Sequence, residues 1–425
     1  MKFVVSTLAA IALLLAVVPT VHALNNGVGL KPPLGWSSWC SWGPCYEDYC
    51  NEAEVKATAD AMIANGMKAA GYEWMLLDDC WAAGNRTADG NLTWDVNRFP
   101  SGIPSLVQHL HGLGFKFGLY TSAGNRTCSS GGRPYAIPGS EHHYQRDMDT
   151  FATWELDYVK VDWCGDVQKL PFDGIEVGAK DYVKVSEAIN NTAPKRAMYL
   201  EGVAAGIFLL DAAPTYVNAW RASTDHHDNW HNTMEVILMA TDLRVAVGRP
   251  GGWAYMDVLM TGGQGCKDNT EAHCPGMTDI EYRTEFTLWS LLQSPLMVST
   301  NVRNMTAIMN ETLYNEHLLE IHQDTRTPPG SFIGVQEPSC GGFWGSLDCN
   351  LFARKLHDGS ALIALFNSGE EVYEITFPLS KIFPAGTVNA TGIDVWTNVN
   401  VTATNGEYKA LVGSHAVNAV RLYPQ

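Results

Sequence analysis

The stretch Asp157-Tyr-Val-Lys-Val-Asp162-Trp-Cys164 reads as a β-strand in which apolar and charged residues alternate. With a period of two, Val159 and Val161 face one way while Lys160 and Asp162 share the other face, an arrangement that is costly in an apolar setting. A charged pair at a strand end suggests a site; the alternative is a structural salt bridge closing the strand. Three other segments favour the site. Tyr72-Glu-Trp-Met-Leu-Leu-Asp78-Asp79-Cys80-Trp81 is a second apolar run ending in acids, Ala219-Trp220-Arg221 leads to Asp225, and Pro250-Gly-Gly-Trp253 leads to Asp257. Asp162 and Asp225 form the pair that glycoside cleavage needs: one carboxylate attacks or stabilises the anomeric carbon and the other protonates the leaving oxygen.

Apolar runs that each end in a polar residue, with helical stretches between them, imply parallel strands whose C-terminal ends meet at one site, as in a TIM barrel. The candidate strands are 34–39, 74–78, 115–122, 157–162, 196–201, 216–221, 244–248 and 295–299, the last two carrying the weakest signals. Helix-like stretches such as 52–70 and 103–113 lie between them, with apolar residues at helical spacing. The expected fold is an α/β chain: an N-terminal (β/α)8 barrel over 24–326 followed by an antiparallel β-sandwich over 327–425. The break is Thr325-Arg-Thr-Pro-Pro-Gly330, after which short alternating runs replace helical patterns.

A chain of 425 residues, 46% hydrophobic and 17% charged, is globular and exceeds one typical domain. Its net charge of -17 argues against nucleic acid or an anionic membrane as partner. Residues 1–23 have the charged start, apolar core and small-residue end of a secretory signal, and no later segment reaches membrane-spanning length. Ten cysteines and sequons at Asn85, Asn91, Asn125, Asn190, Asn304, Asn310, Asn389 and Asn400 agree with export. Cys266 with Cys274 and Cys340 with Cys349 look like local loops, whereas the pairing of Cys40, Cys45, Cys50 and Cys80 is open. A zinc site at Cys40, Cys45 and Cys50 is disfavoured by loose spacing. The expected location is secreted or a lysosome- or vacuole-like compartment, and a homodimer is one assembly open to the chain.

The motifs Leu34-Gly-Trp36-Ser-Ser-Trp39, Leu77-Asp78-Asp79-Cys80-Trp81, Arg98-Phe-Pro100, Gly118-Leu-Tyr120 with Gly124-Asn-Arg-Thr-Cys128, Val159-Lys160-Val-Asp162, Trp220-Arg221 with Asp225, and Pro250-Gly-Gly-Trp253 occur in that order. Together they closely resemble family 27 of the glycoside hydrolases, the α-galactosidase and α-N-acetylgalactosaminidase family. The resemblance implies a retaining double displacement on a galactose-containing carbohydrate, with no metal and no organic cofactor. It implies Asp162 as nucleophile and Asp225 as general acid/base. It places Asp78, Asp79, Lys160 and Arg221 on sugar hydroxyls, Trp39, Tyr120 and Cys128 around the sugar, and a Cys128–Cys164 disulfide beneath it.

Two positions depart from the family pattern. Asp257 matches the last acid of a family segment, but the preceding Ala254-Tyr-Met differs, which weakens its binding role. Glu201 matches the acid that accepts the 2-hydroxyl in galactose-specific members, yet Ala204 is small, as in N-acetylgalactosamine-specific ones. A charged Glu201 would crowd an acetamido group, so galactose is favoured. The rivals are an α-N-acetylgalactosaminidase, a β-L-arabinopyranosidase and a catalytically silent galactose-binding protein. Trp81, Trp154 and Trp163 read as core or disulfide cover. In Asp225-His-His-Asp228 the adjacent histidines suit a loop role near the acid/base better than a metal.

Overall fold

The computed structural model describes Leu24 and residues 26–41, 50–128, 137–165, 174–241, 248–263, 276–336, 340 and 348–425. The expected leader 1–23, Cys45, Cys266 and Cys274 lie outside the described residues, as does the candidate strand 244–248 apart from Gly248.

Eight parallel strands form the first sheet: β1 (Leu34–Ser37), β2 (Trp74–Leu77), β3 (Lys116–Ser122), β4 (Tyr158–Asp162), β5 (Tyr199–Gly202), β6 (Ala219–Arg221), β7 (Trp253–Tyr255) and β8 (Leu296–Val298). Their order is β7-β6-β5-β4-β3-β2-β1-β8. The remaining seam is closed just past β7, where Leu259 bridges Val298 in parallel and donates its N–H to the Met297 carbonyl at 2.8 Å. The place beside β6 is thus taken by Trp253–Tyr255.

The period of two on β4 works as its sequence implies. Val159 and Val161 join the apolar layer between sheet and helices. Tyr158 points to the opposite face and packs against Trp74 and Tyr199, with ring centroids 5.9 and 5.0 Å away. These rings fill the lower barrel, so the next residues on the same face, Lys160 and Asp162, stand above a packed floor at the C-terminal rim. Gly118 is required beside them: a Cβ there would sit 2.4 Å from the Cβ of Tyr158.

The second part is antiparallel. A six-stranded sheet in the order Asn400–Ala403, Ala390–Asp394, Val417–Pro424, Ala361–Asn367, Cys349–Lys355 and Ser331–Val335 faces a two-stranded sheet of Tyr373–Pro378 and Glu407–Val412. Strand Ala361–Asn367 is buried along its whole length because it serves two cores. Leu362, Ala364 and Phe366 join the barrel's apolar cluster, whereas Ile363 and Leu365 pack with Ile375 and Phe377 of the smaller sheet. The joining segment is held by Arg354, whose guanidinium donates to the carbonyls of Ile321 at 2.6 Å and Pro328 at 3.1 Å.

A second contact between the two parts lies near the barrel mouth. The His415 ring stacks on Trp230 with centroids 4.5 Å apart and lies 2.6 Å from Glu281, and its carbonyl accepts from Thr284 at 2.8 Å. Burial pulls His415 down, but Glu281 and Glu370 outweigh it and hold the ring above the ordinary histidine value.

Cys50–Cys80, Cys128–Cys164 and Cys340–Cys349 are disulfides, and Cys40 is disulfide-bonded as well. Among the described residues no helix is long and apolar enough to cross a membrane. Every sequon asparagine except the half-buried Asn91 is exposed.

Candidate active site

The strand ends bring the candidate residues together. Tyr120 on β3 pairs in register with Lys160 on β4, and Lys160 with Glu201 on β5. Lys160 donates to Asp78 at the end of β2 at 2.7 Å. Its ammonium lies 5.8 Å from the Trp39 ring centroid and 5.5 Å from that of Tyr120. Asp78 and Asp79 are both buried, and the Asp79 N–H donates to Asp78 at 2.8 Å. The Asp78 N–H donates to the Ser38 hydroxyl at 2.8 Å, which ties this turn to the end of β1.

Asp162 accepts from the Tyr120 hydroxyl at 2.9 Å and from the Trp163 N–H at 2.8 Å. These bonds engage one carboxylate oxygen each and fix its orientation. Burial pushes Asp162 above the usual carboxylate range; Lys160 and the two donors offset part of that, and the nearby charge of Asp225 adds to the rise. Burial alone would lower the Lys160 ammonium, but Asp78, Glu201, Asp257 and Asp162 reverse this and keep it charged. The Cys128–Cys164 disulfide closes the loop just beyond Asp162, and the Cys128 N–H points at the Tyr120 hydroxyl from 3.4 Å.

Asp225 lies in the loop after β6, with half of its side chain exposed. Arg221 donates to it at 2.8 Å, and the other end of the guanidinium lies 3.3 Å from Asp257. Burial pushes Asp225 up, but Arg221 outweighs it and the net shift is downward. Asp257 is buried, with its carboxylate shared between Arg221 and the His226 N–H, the latter at 2.8 Å. Each of its carboxylate oxygens thus has a protein partner.

Glu201 is fully buried; one oxygen accepts from Tyr158 and the other has no protein partner. Burial pushes its carboxyl up to about 7 in spite of Lys160 and Tyr158. Tyr158 was not singled out by its sequence, although it shares the inward face of Lys160 and Asp162. His226 has one ring nitrogen on the Val258 carbonyl at 2.8 Å and the other on the Thr233 hydroxyl at 2.9 Å, which agrees with a loop role. Trp81 and Trp154 pack edge to face at 5.8 Å and belong to the aromatic core behind β3.

A closed parallel barrel with a pair of carboxylates and a cluster of further acids and cations at its C-terminal rim has the architecture of a glycoside hydrolase. The family model described as alpha galactosidase A matches residues 31–324, and that of the alpha galactosidase C-terminal beta sandwich domain matches 347–422. The chain belongs to this family, family 27 of the glycoside hydrolases. It is 32% identical over 411 residues to an alpha-galactosidase of Cyamopsis tetragonoloba, covering 95% of this chain and 89% of that one. It is 32% identical over 429 residues to alpha-galactosidase mel1 of Schizosaccharomyces pombe, covering 94% and 91%. The structure superposes on alpha-galactosidase I from Mortierella vinacea with a TM-score of 0.81 at 26% identity, covering 94% of this chain and 98% of that one.

Proposed function

We propose that the protein releases terminal α-linked galactose from oligosaccharides or glycoconjugates by a retaining double displacement in which Asp162 is the nucleophile and Asp225 the acid/base. The observation that carries this reading is the setting of the two carboxylates. Asp162 is oriented by two donors beside a lysine, while Asp225 is half-exposed at the mouth, where a leaving group departs. In the first step Asp162 attacks the anomeric carbon, the glycosidic bond breaks, and Asp225 gives its proton to the departing oxygen. In the second, Asp225 takes a proton from water, which displaces Asp162 and restores the original configuration.

Lys160, Asp78 and Asp79 are assigned to the sugar hydroxyls, with Trp39 and Tyr120 as walls and the Cys128–Cys164 bridge as floor. Asp257 aligns Arg221. Galactose is favoured over its 2-acetamido analogue because the buried Glu201 carboxyl, with one oxygen unpartnered, accepts from a compact 2-hydroxyl, whereas it would crowd an acetyl group. The signal-like start, the disulfides and the exposed sequons support a secreted or vacuole-like location.

The test is hydrolysis of an aryl α-galactoside beside its α-N-acetylgalactosaminide and β-L-arabinopyranoside counterparts. Preference for the first is expected. Preference for either of the others would reassign the substrate, and inactivity on all three would favour a sugar-binding protein.

A further inference from the structure

Asp225 and His226 are neighbours in the chain but differ in setting: the Asp225 side chain is half exposed, while His226 is fully buried. The imidazole lies against Trp289 with centroids 5.1 Å apart. Its Nδ1 faces the Val258 carbonyl, which can only accept, so Nδ1 carries the proton; Nε2 then accepts from the Thr233 hydroxyl. Burial keeps the ring neutral by pushing it down to about 4, consistent with this tautomer.

The same residue also grips Asp257. Its backbone N–H donates to Asp257 Oδ2 at 2.8 Å, and Trp289 Nε1 donates to the Asp257 carbonyl at 2.9 Å. Asp257 has φ of 73°, a left-handed conformation that a non-glycine residue keeps only when its surroundings hold it there. From that position its carboxylate reaches Arg221, and Arg221 reaches Asp225. Asn232 holds the loop from the helix Trp230–Ala240, donating to the Asp225 carbonyl at 3.1 Å and accepting from the His227 N–H at 2.6 Å.

We propose that His226 is the positioning residue for the acid/base carboxyl: its ring anchors the loop that carries Asp225, and its N–H sets Asp257, through which Arg221 aims that carboxyl at the leaving group. This rests on the assignment of Asp225 as acid/base. His226 touches no substrate. Its effect falls on the step in which the leaving oxygen is protonated.

The experiment compares kcat/KM for an alkyl α-galactoside, whose departure needs a proton, with that for a 2,4-dinitrophenyl α-galactoside, whose departure does not. General-acid assistance is worth about 100- to 10,000-fold, so its partial misalignment in His226→Phe should cost about 10- to 100-fold on the alkyl substrate. The activated substrate should change by less than about threefold, because its bond breaks without the proton. His226→Asn retains a donor toward Val258 and should recover part of the loss. Thr233→Val removes the hydroxyl that faces Nε2, together with its contacts to the Asn229 carbonyl and Met277 Sδ, but leaves the ring and its Val258 bond in place, and should shift the ratio in the same direction by a smaller factor.

Equal losses on the two substrates in His226→Phe, or a wild-type ratio, would overturn the proposal. If that variant does not fold, Thr233→Val decides, and an unchanged ratio there overturns it. Asp225→Ala, measured alongside, separates the two assignments. If it splits the substrates and the His226 series does not, only the positioning role fails; if Asp225→Ala itself does not split them, the acid/base assignment fails and the positioning role with it.

Discussion

Replacing Glu201 by glutamine should alter how both stability and galactose affinity depend on pH. The carboxyl is held at about 7 in the folded chain against an ordinary value of 4.5. A raised carboxyl favours its neutral form. The contribution of Glu201 to stability is therefore full below pH 4.5 and is lost as pH rises through about 7. A shift of this size corresponds to about 3 kcal/mol. Glutamine keeps the shape and the acceptor for Tyr158 but cannot ionise, so Glu201→Gln should match the wild type near pH 4.5 and exceed it by about 3 kcal/mol near pH 8. For a barrel of about 300 residues that amounts to about 5 °C in melting temperature.

Affinity should move the opposite way. A hydrogen bond from the 2-hydroxyl to a neutral carboxyl is worth about 0.5 to 1.5 kcal/mol, and to a carboxylate about 1.5 to 3 kcal/mol. The cost of Glu201→Gln in galactose binding should therefore grow from a few-fold near pH 5 to about 10- to 100-fold near pH 8. Thermal unfolding and calorimetric titration with galactose at both pH values measure the two arms. A stability difference and an affinity ratio that stay flat across the range would show that Glu201 is ionised throughout, and the account of its burial would be wrong.

Asp162→Asn should abolish turnover without loss of fold; azide should then yield a glycosyl azide of inverted configuration, and near-wild-type activity would remove Asp162 from its role. The acid must be protonated to act, and Asp225 is held low, so kcat/KM for an alkyl α-galactoside should fall as pH rises from acid toward neutral. With an activated aryl substrate only the acid limb should remain, set by the raised Asp162, because the nucleophile must be ionised. Identical profiles for the two substrates would contradict this. Cys128→Ser with Cys164→Ser opens a loop of 36 residues and should cost about 3 to 4 kcal/mol, read as a lower melting temperature together with reduced kcat; unchanged values would show that the bridge is dispensable.

The barrel was legible wherever one strand carried its own signal. β4 announces itself because its two valines and its charged pair obey a single period, and the residues it brings to the mouth follow from that. β7 was not legible: Trp253–Tyr255 is three residues long and buried on both sides, so it shows no alternation. The helix expected over 52–70 ends at Ala64, where Asn65-Gly66 supplies a stop that the apolar spacing beyond it obscured. Asp225 and Arg221 were readable as neighbours four apart. The grip of His226 and Trp289 on Asp257 was not, because it joins three elements that only the closed barrel places side by side. Glu285, buried and accepting from the Met260 N–H and the Thr261 hydroxyl, gave no sequence signal for the same reason.

The stacking of His415 on Trp230 bears on how this chain could be recombined. Trp230 begins the helix whose Asn232 holds the Asp225 loop, so a residue of the sandwich presses on the first turn of an element that steadies the barrel mouth. A chimaera that grafts a foreign sandwich onto this barrel would have to supply an equivalent aromatic or histidine at that point, together with an acceptor for Thr284. Without them the graft would leave Trp230 exposed and the helix start free to shift. The junction is also one-sided in pH. His415 is held above the ordinary histidine value, so its charged contact with Glu281 and Glu370 is complete in acid and fades as pH climbs through that raised value. Hybrids assembled and screened at neutral pH would therefore be selected under conditions in which this seam is weaker than it is in acid.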